Sequence, residues 1–257
     1  MFEAIVLGIV QGITEFFPVS STAHLILVPW FFHWSGEVNT LMFDVALHAG
    51  TLAALLICFY SDWLHMLLKD RKTLAFILIA TIPAGIAGVV FKHLIEDQLR
   101  SPLIIACSTV VFAVLMLVAE KYSTRDKGQA SFKDWVLIGI AQAIALIPGV
   151  SRSGVTITAG LFRNLTRESA AKFSFLLSTP VIGGAALLEG RKLLRAPGDY
   201  HLDTFAIGFL ASFVSGLFAI KFLLRFLRKH PLNIFAYYRF LLAAVIAVTW
   251  ATTSFLR

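Results

Sequence analysis

The chain has 257 residues, of which 58% are hydrophobic and 14% charged, whereas an ordinary globular domain carries about 25% charged residues. With apolar stretches recurring from end to end, this balance excludes a water-soluble fold and points to one integral membrane domain over 1–257. The net charge of +7 comes from bases clustered at the ends of apolar runs, which reads as orientation and headgroup contact and excludes a nucleic-acid partner.

The opening MFEAIVLGIVQGITEFF lacks a basic leader and carries Glu3, Gln11 and Glu15, so it reads as part of the mature protein rather than a cleaved signal. Apolar segments follow at 1–16, 20–34, 41–60, 74–91, 102–119, 135–147, 153–165, 171–190, 204–224 and 233–254. Six are long enough to cross hydrocarbon as helices. The four short ones form two pairs, 1–16 with 20–34 and 135–147 with 153–165, each joined at a polar Pro/Gly/Ser stretch. Irregular backbone at membrane depth is tolerated only inside protein or beside a wet cavity, so each pair predicts a re-entrant hairpin. Cys58 and Cys107 lie within apolar runs and read as packing residues rather than a disulfide or thiolate site.

GIVQGITEFFPVSST at 8–22 aligns without a gap on GIAQAIALIPGVSRS at 139–153, an offset of 131. The chain therefore reads as two pseudo-repeats, about 1–122 and 132–254, each a short pair plus three spans. Three crossings are an odd number, so the second copy enters from the opposite side, an inverted-topology repeat. The connections 61–73, 121–134, 162–172 and 225–232 hold 13 Lys and Arg against 6 on the other side (Lys92, Arg100, Arg191, Lys192, Arg195, Arg257). The first set is expected to be cytoplasmic, with both termini outside.

The polar residues concentrate in the two short pairs. Gln11 and Glu15 are one helical turn apart and share a face, and a carboxylate at membrane depth needs a partner: a cation, a metal or a ligand hydroxyl. After Pro18 come Ser20, Ser21 and Thr22, good N-caps for the next helix, with His24 about one turn on. An imidazole beside hydroxyls suits acid–base or nucleophilic chemistry. In the second copy, PGVSRSG at 148–154 carries Arg152, whose planar donors grip phosphate or carboxylate. Ser151, Ser153 and the N–H groups around Gly154 are expected to cradle an oxyanion at a helix start. Gln142, the counterpart of Gln11, reads as a helix–helix hydrogen bond only. Asp44 and His48, again four apart, are expected either to line the same cavity behind the reacting groups, to help hold a metal, or to act as interfacial caps.

QGITEFFPVSSTAH followed at a distance by PGVSRSG resembles the bacterial undecaprenyl-diphosphate phosphatase family, also associated with bacitracin resistance. The resemblance covers essentially the whole chain. It implies an all-α protein of six transmembrane helices, two re-entrant helical hairpins and an inverted repeat, in the bacterial cytoplasmic (inner) membrane with its site open to the periplasmic side. The implied reaction is hydrolysis of a long-chain polyprenyl diphosphate, undecaprenyl diphosphate, to undecaprenyl phosphate and inorganic phosphate, which recycles the cell-wall lipid carrier. Glu15, Ser21, His24 and Arg152 would be catalytic; Gln11, Ser20, Thr22, Ser151, Ser153 and Gly154 would bind substrate. A divalent cation, Mg²⁺ or Ca²⁺, would sit on Glu15, with Gln11 at a position where many members carry Glu. Ser21 with His24 as its base, His24 itself, or a water would attack. Membrane phospholipids and a homodimer are the implied partners, with no interface singled out. The rival reading is a transporter or translocase of a polyprenyl phosphate or other anion, since broken helices and inverted repeats also build carriers.

Overall fold

The computed structural model describes residues 1–91, 94, 99, 101–195 and 201–255. Among them are eleven α-helices: α1 (Phe2–Thr14), α2 (Ser21–Phe32), α3 (Leu41–Cys58), α4 (Tyr60–Leu68), α5 (Arg71–Val90), α6 (Pro102–Tyr122), α7 (Phe132–Ile144), α8 (Arg152–Phe162), α9 (Arg167–Arg195), α10 (Leu202–Leu227) and α11 (Asn233–Phe255). Side-chain oxygens set several starts by accepting a first-turn N–H: Asp70 for α5, Ser101 for α6 and Ser131, in a capping box with Asp134, for α7. Six helices, α3, α5, α6, α9, α10 and α11, are long and apolar enough to cross a membrane. Their outer sides expose Leu78, Ile82 and Ile86 on α5, Val111, Val114 and Val118 on α6, and Leu210, Val214 and Phe218 on α10. Such stripes suit lipid, and the chain is a multi-pass membrane protein.

One expected connection is largely helical. Most of 61–73 folds as α4, because Met66 and Trp63 pack onto the core beside Phe59. Otherwise the spans match the expected segments, with α9 and α10 running a few residues longer at each end.

Two close helix contacts are related by one sequence offset. An added Cβ at Gly8 of α1 would stand 2.6 Å from the Cβ of Ala211 in α10, and one at Gly139 of α7 would stand 2.8 Å from the Cα of Ala80 in α5. Gly139 stands 131 residues after Gly8, and Ala211 stands 131 residues after Ala80. Helices beginning at Ser21, Arg71 and Pro102 are likewise followed at that offset by helices beginning at Arg152, Leu202 and Asn233.

The four base-rich connections share one end of the bundle. Glu120, closing α6, accepts from Arg125 Nη1 at 2.7 Å, from Arg167 Nε at 2.7 Å and from the Leu232 N–H at 3.3 Å, while Lys172 pairs with Asp62 at 2.6 Å. These bonds tie 121–134, 162–172, 225–232 and α4 together. At the other end the Glu37 carboxylate accepts the His201 N–H at 3.0 Å. Of the bases expected there, Lys92, Arg100 and Arg257 lie outside the described residues.

Candidate active site

The short pairs α1–α2 and α7–α8 break at residues 15–20 and 145–151, and both breaks lie inside the protein. Ser20 (φ 77°) and Ser151 (φ 69°), counterparts at the 131-residue offset, hold the same left-handed backbone immediately before α2 and α8. Gly149 (φ 91°) has no room for a side chain, since a Cβ there would stand 2.6 Å from the Ile105 carbonyl oxygen.

Broken backbone away from water must be satisfied by side chains. Ser108 Oγ donates to the Pro148 carbonyl at 2.6 Å, and Ser153 Oγ donates to the Phe17 carbonyl at 3.1 Å. The largest contribution comes from Arg239 of α11, which is 0% exposed. Its Nη2 donates to Gly149 O (2.8 Å), its Nη1 to Val150 O (3.0 Å) and Pro18 O (3.2 Å), and its Nε to Thr109 O (3.2 Å). One guanidinium thus ties both loops to α6, its charge met by carbonyl dipoles.

Between the loops lies a cavity of about 400 Å³. Its polar wall carries Glu15, Ser20, Ser21, Thr22, Asp44, His48, Gln142, Ser151 and Arg152, and its apolar wall includes Leu25, Ile26, Val45, Ala84 and Ile182. Glu15 is the hub. Arg152 Nη2 forms an ion pair with its Oε1, and Oε2 accepts from Ser21 Oγ at 2.7 Å and Gln11 Nε2 at 3.0 Å. His48 Nε2 stands 3.6 Å from the same oxygen, its Nδ1–H donating to the Asp44 carbonyl at 2.7 Å. A carboxylate this buried is stable only with such partners, and removing one from a buried ion pair costs about 3–5 kcal/mol.

Several expected placements differ. His24 does not line the cavity. Its Nδ1–H donates to the Ser20 carbonyl at 2.7 Å, which leaves Nε2 to accept the Tyr238 hydroxyl at 2.6 Å. Both nitrogens are therefore engaged away from Ser21, whose hydroxyl faces Glu15. Ser20 precedes α2 without a side-chain cap, whereas Ser151 does cap α8, accepting from the Gly154 N–H at 3.1 Å. The Gly154 N–H and the Ser153 hydroxyl are thereby spent inside the fold, and neither residue lines the cavity, so the expected oxyanion cradle reduces to Ser151 and Arg152. Gln142 makes no helix–helix hydrogen bond: both amide atoms are buried without a protein partner. Gln11 stands behind Glu15, its Oε1 also without a partner.

Arg239 and Tyr238 were invisible to motif reading, although a single arginine inside the apolar run 233–254 is itself a signal, because an intramembrane charge must be held by something.

These features define a polytopic helical membrane protein with a charged, hydroxyl-lined cavity among its helices. Residues 4–245 match the family described as Bacitracin resistance protein BacA, and the chain belongs to that family. It is 56% identical over 246 residues to the Undecaprenyl-diphosphatase of Thermodesulfovibrio yellowstonii, covering 96% of each chain. It is 44% identical over 261 residues to the protein of the same name from Moorella thermoacetica (97% of this chain, 98% of the relative). The corresponding protein of Desulforudis audaxviator is 43% identical over 257 residues (96% and 97%).

Proposed function

We propose that this chain hydrolyses undecaprenyl diphosphate to undecaprenyl phosphate and inorganic phosphate. The observation that carries the reading is the meeting of Arg152 and Glu15, one from each broken pair, in a cavity where a serine hydroxyl also points at the carboxylate. The relatives' name supplies the substrate.

Arg152 spends Nη2 on Glu15, while its Nη1 is buried without a protein partner, a donor for a phosphoryl oxygen. Ser21 Oγ attacks the terminal phosphorus as its proton passes to Glu15. The bond from that phosphorus to the bridging oxygen breaks, and undecaprenyl phosphate leaves with the electron pair. Water then attacks the phosphoserine and the bond from phosphorus to Ser21 Oγ breaks; Glu15 returns its proton to that oxygen, restoring the Ser21 hydroxyl, and the water's protons leave on inorganic phosphate. His24 holds the Ser20 carbonyl and so the approach of α2. Glu15 on the cavity wall, with Gln11 Oε1 behind it, would hold Mg²⁺ or Ca²⁺ through oxygens, since no group of three His, Cys, Asp or Glu gathers among the described residues. Such a cation supplies neutralisation of the diphosphate charge when bound.

The matched helix starts and offset-related glycine contacts support reading 1–122 and 132–254 as inverted repeats with re-entrant pairs. The shared base-rich end supports a cytoplasmic assignment for that end and periplasmic termini, with the cavity open to the outer leaflet of a bacterial inner membrane. Phospholipid chains would cover the exposed aliphatic stripes, and a homodimer is the further partner the family resemblance implies. Product recycling as a cell-wall lipid carrier follows from the substrate.

The test is phosphate release from undecaprenyl diphosphate by purified protein in detergent, with and without chelator, beside Ser21→Ala, His24→Ala and Arg152→Ala. Release by the parent, suppressed by chelator and reduced about 10²–10³-fold in Arg152→Ala, is expected. Lipid or anion transport in vesicles without phosphate release would overturn the reading in favour of a translocase.

A further inference from the structure

Gln142 is a buried amide with no protein acceptor for its donors. In the first copy Gln11 donates to Glu15, four residues on, at 3.0 Å. The residue four on from Gln142 is Leu146, which offers no acceptor side chain. Gln142 is 1% exposed, lines the cavity, and has neither Nε2 nor Oε1 bonded to protein. It stands in the last turn of α7, and Arg152 opens α8, so the two flank one break. Arg152 Nη1 is another buried donor on this wall without a protein partner. A buried donor that forgoes a hydrogen bond is unfavourable unless something else accepts it.

We propose that Gln142 is a further substrate-binding residue, donating through its Nε2–H group to a phosphoryl oxygen of the diphosphate that Arg152 holds from the other side of the break. This rests on the diphosphatase reading. The amide adds a donor without charge, which matters in a wall that already carries the carboxylates of Glu15 and Asp44. A glutamate at this position would add a third negative charge facing the diphosphate.

The experiment compares the parent with Gln142→Leu, which keeps size and removes the donor, and Gln142→Glu. Two readouts are taken: KM and kcat for undecaprenyl diphosphate in detergent, and the rise in melting temperature on adding inorganic pyrophosphate with Mg²⁺. Expected are a KM about tenfold higher in Gln142→Leu, higher again in Gln142→Glu, and a pyrophosphate-induced rise that is present in the parent and largely lost in both. Without ligand, Gln142→Leu should melt no lower than the parent, because it removes a buried polar group that has no protein partner. The inference is overturned if Gln142→Leu keeps the parent's KM and pyrophosphate response, if it lowers the melting temperature while leaving both intact, or if pyrophosphate does not stabilise the parent at all. A parent that responds to pyrophosphate but releases no phosphate from the lipid would remove the proposed activity and leave the amide's contact to be decided by the melting shift.

Discussion

The Ser21 hydroxyl donates to Glu15 at 2.7 Å, so the group beside the candidate nucleophile is a carboxylate rather than the imidazole three residues on. Glu15→Gln and Ser21→Ala should each lower kcat about 10²–10³-fold. The double variant should be little worse than either, since two groups serving one proton transfer fail together. Multiplicative losses in single-turnover phosphate release would contradict this pairing.

Arg239 satisfies four backbone carbonyls in two loops and one span. Arg239→Met leaves the Pro18 and Val150 carbonyls without their donor in an apolar interior, at about 1–3 kcal/mol each before relaxation, and should sharply lower the melting temperature in detergent. Arg239→Lys should recover only part, because an ammonium has three donors and no planar fork. Lysine restoring the full melting temperature would show that charge alone suffices there.

Close approach of the helices predicts matched costs at Gly8 and Gly139. Gly8→Ala and Gly139→Ala should each destabilise by about 1–3 kcal/mol through overpacking against α10 and α5. Gly85→Ala is the control: nothing lies within 4 Å of its added Cβ, and alanine favours the helix, so stability should hold or rise. Denaturation in detergent reads all three.

Glu120→Gln should loosen the base-rich end without touching the cavity. Arg125 and Arg167 are partly exposed and water compensates some of the loss, so about 1–3 kcal/mol is expected, with KM for the lipid unchanged. A shift in KM larger than threefold would mean that this end communicates with the loops.

The spans and both polar loops are legible in the sequence because each rests on local pattern: apolar length for α3 or α6, and Pro/Ser/Arg density for 18–24 and 148–154. Glu15 with Arg152 follows once two broken pairs must share one wet interior. What escapes is set by partners far along the chain. The direction of His24 is fixed by Tyr238, 214 residues away, and Ser153 turns from ligand to brace because the Phe17 carbonyl needs a donor. Gln142 and Gln11 look alike as letters, and only the absence of a bonded neighbour separates them. The α4 helix is missed because its packing residues, Trp63 and Met66, sit in a connection too short to show a helical period.

Arg239 lies in the last of the described helices, far downstream of the loops it fastens. Every group that lines the cavity is synthesised before this residue, yet the carbonyls at Pro18 and Val150 still lack their donor. Seating of the two loops is therefore coupled to the arrival of α11, and an intermediate stalled before that point carries its cavity side chains in an unfinished mount.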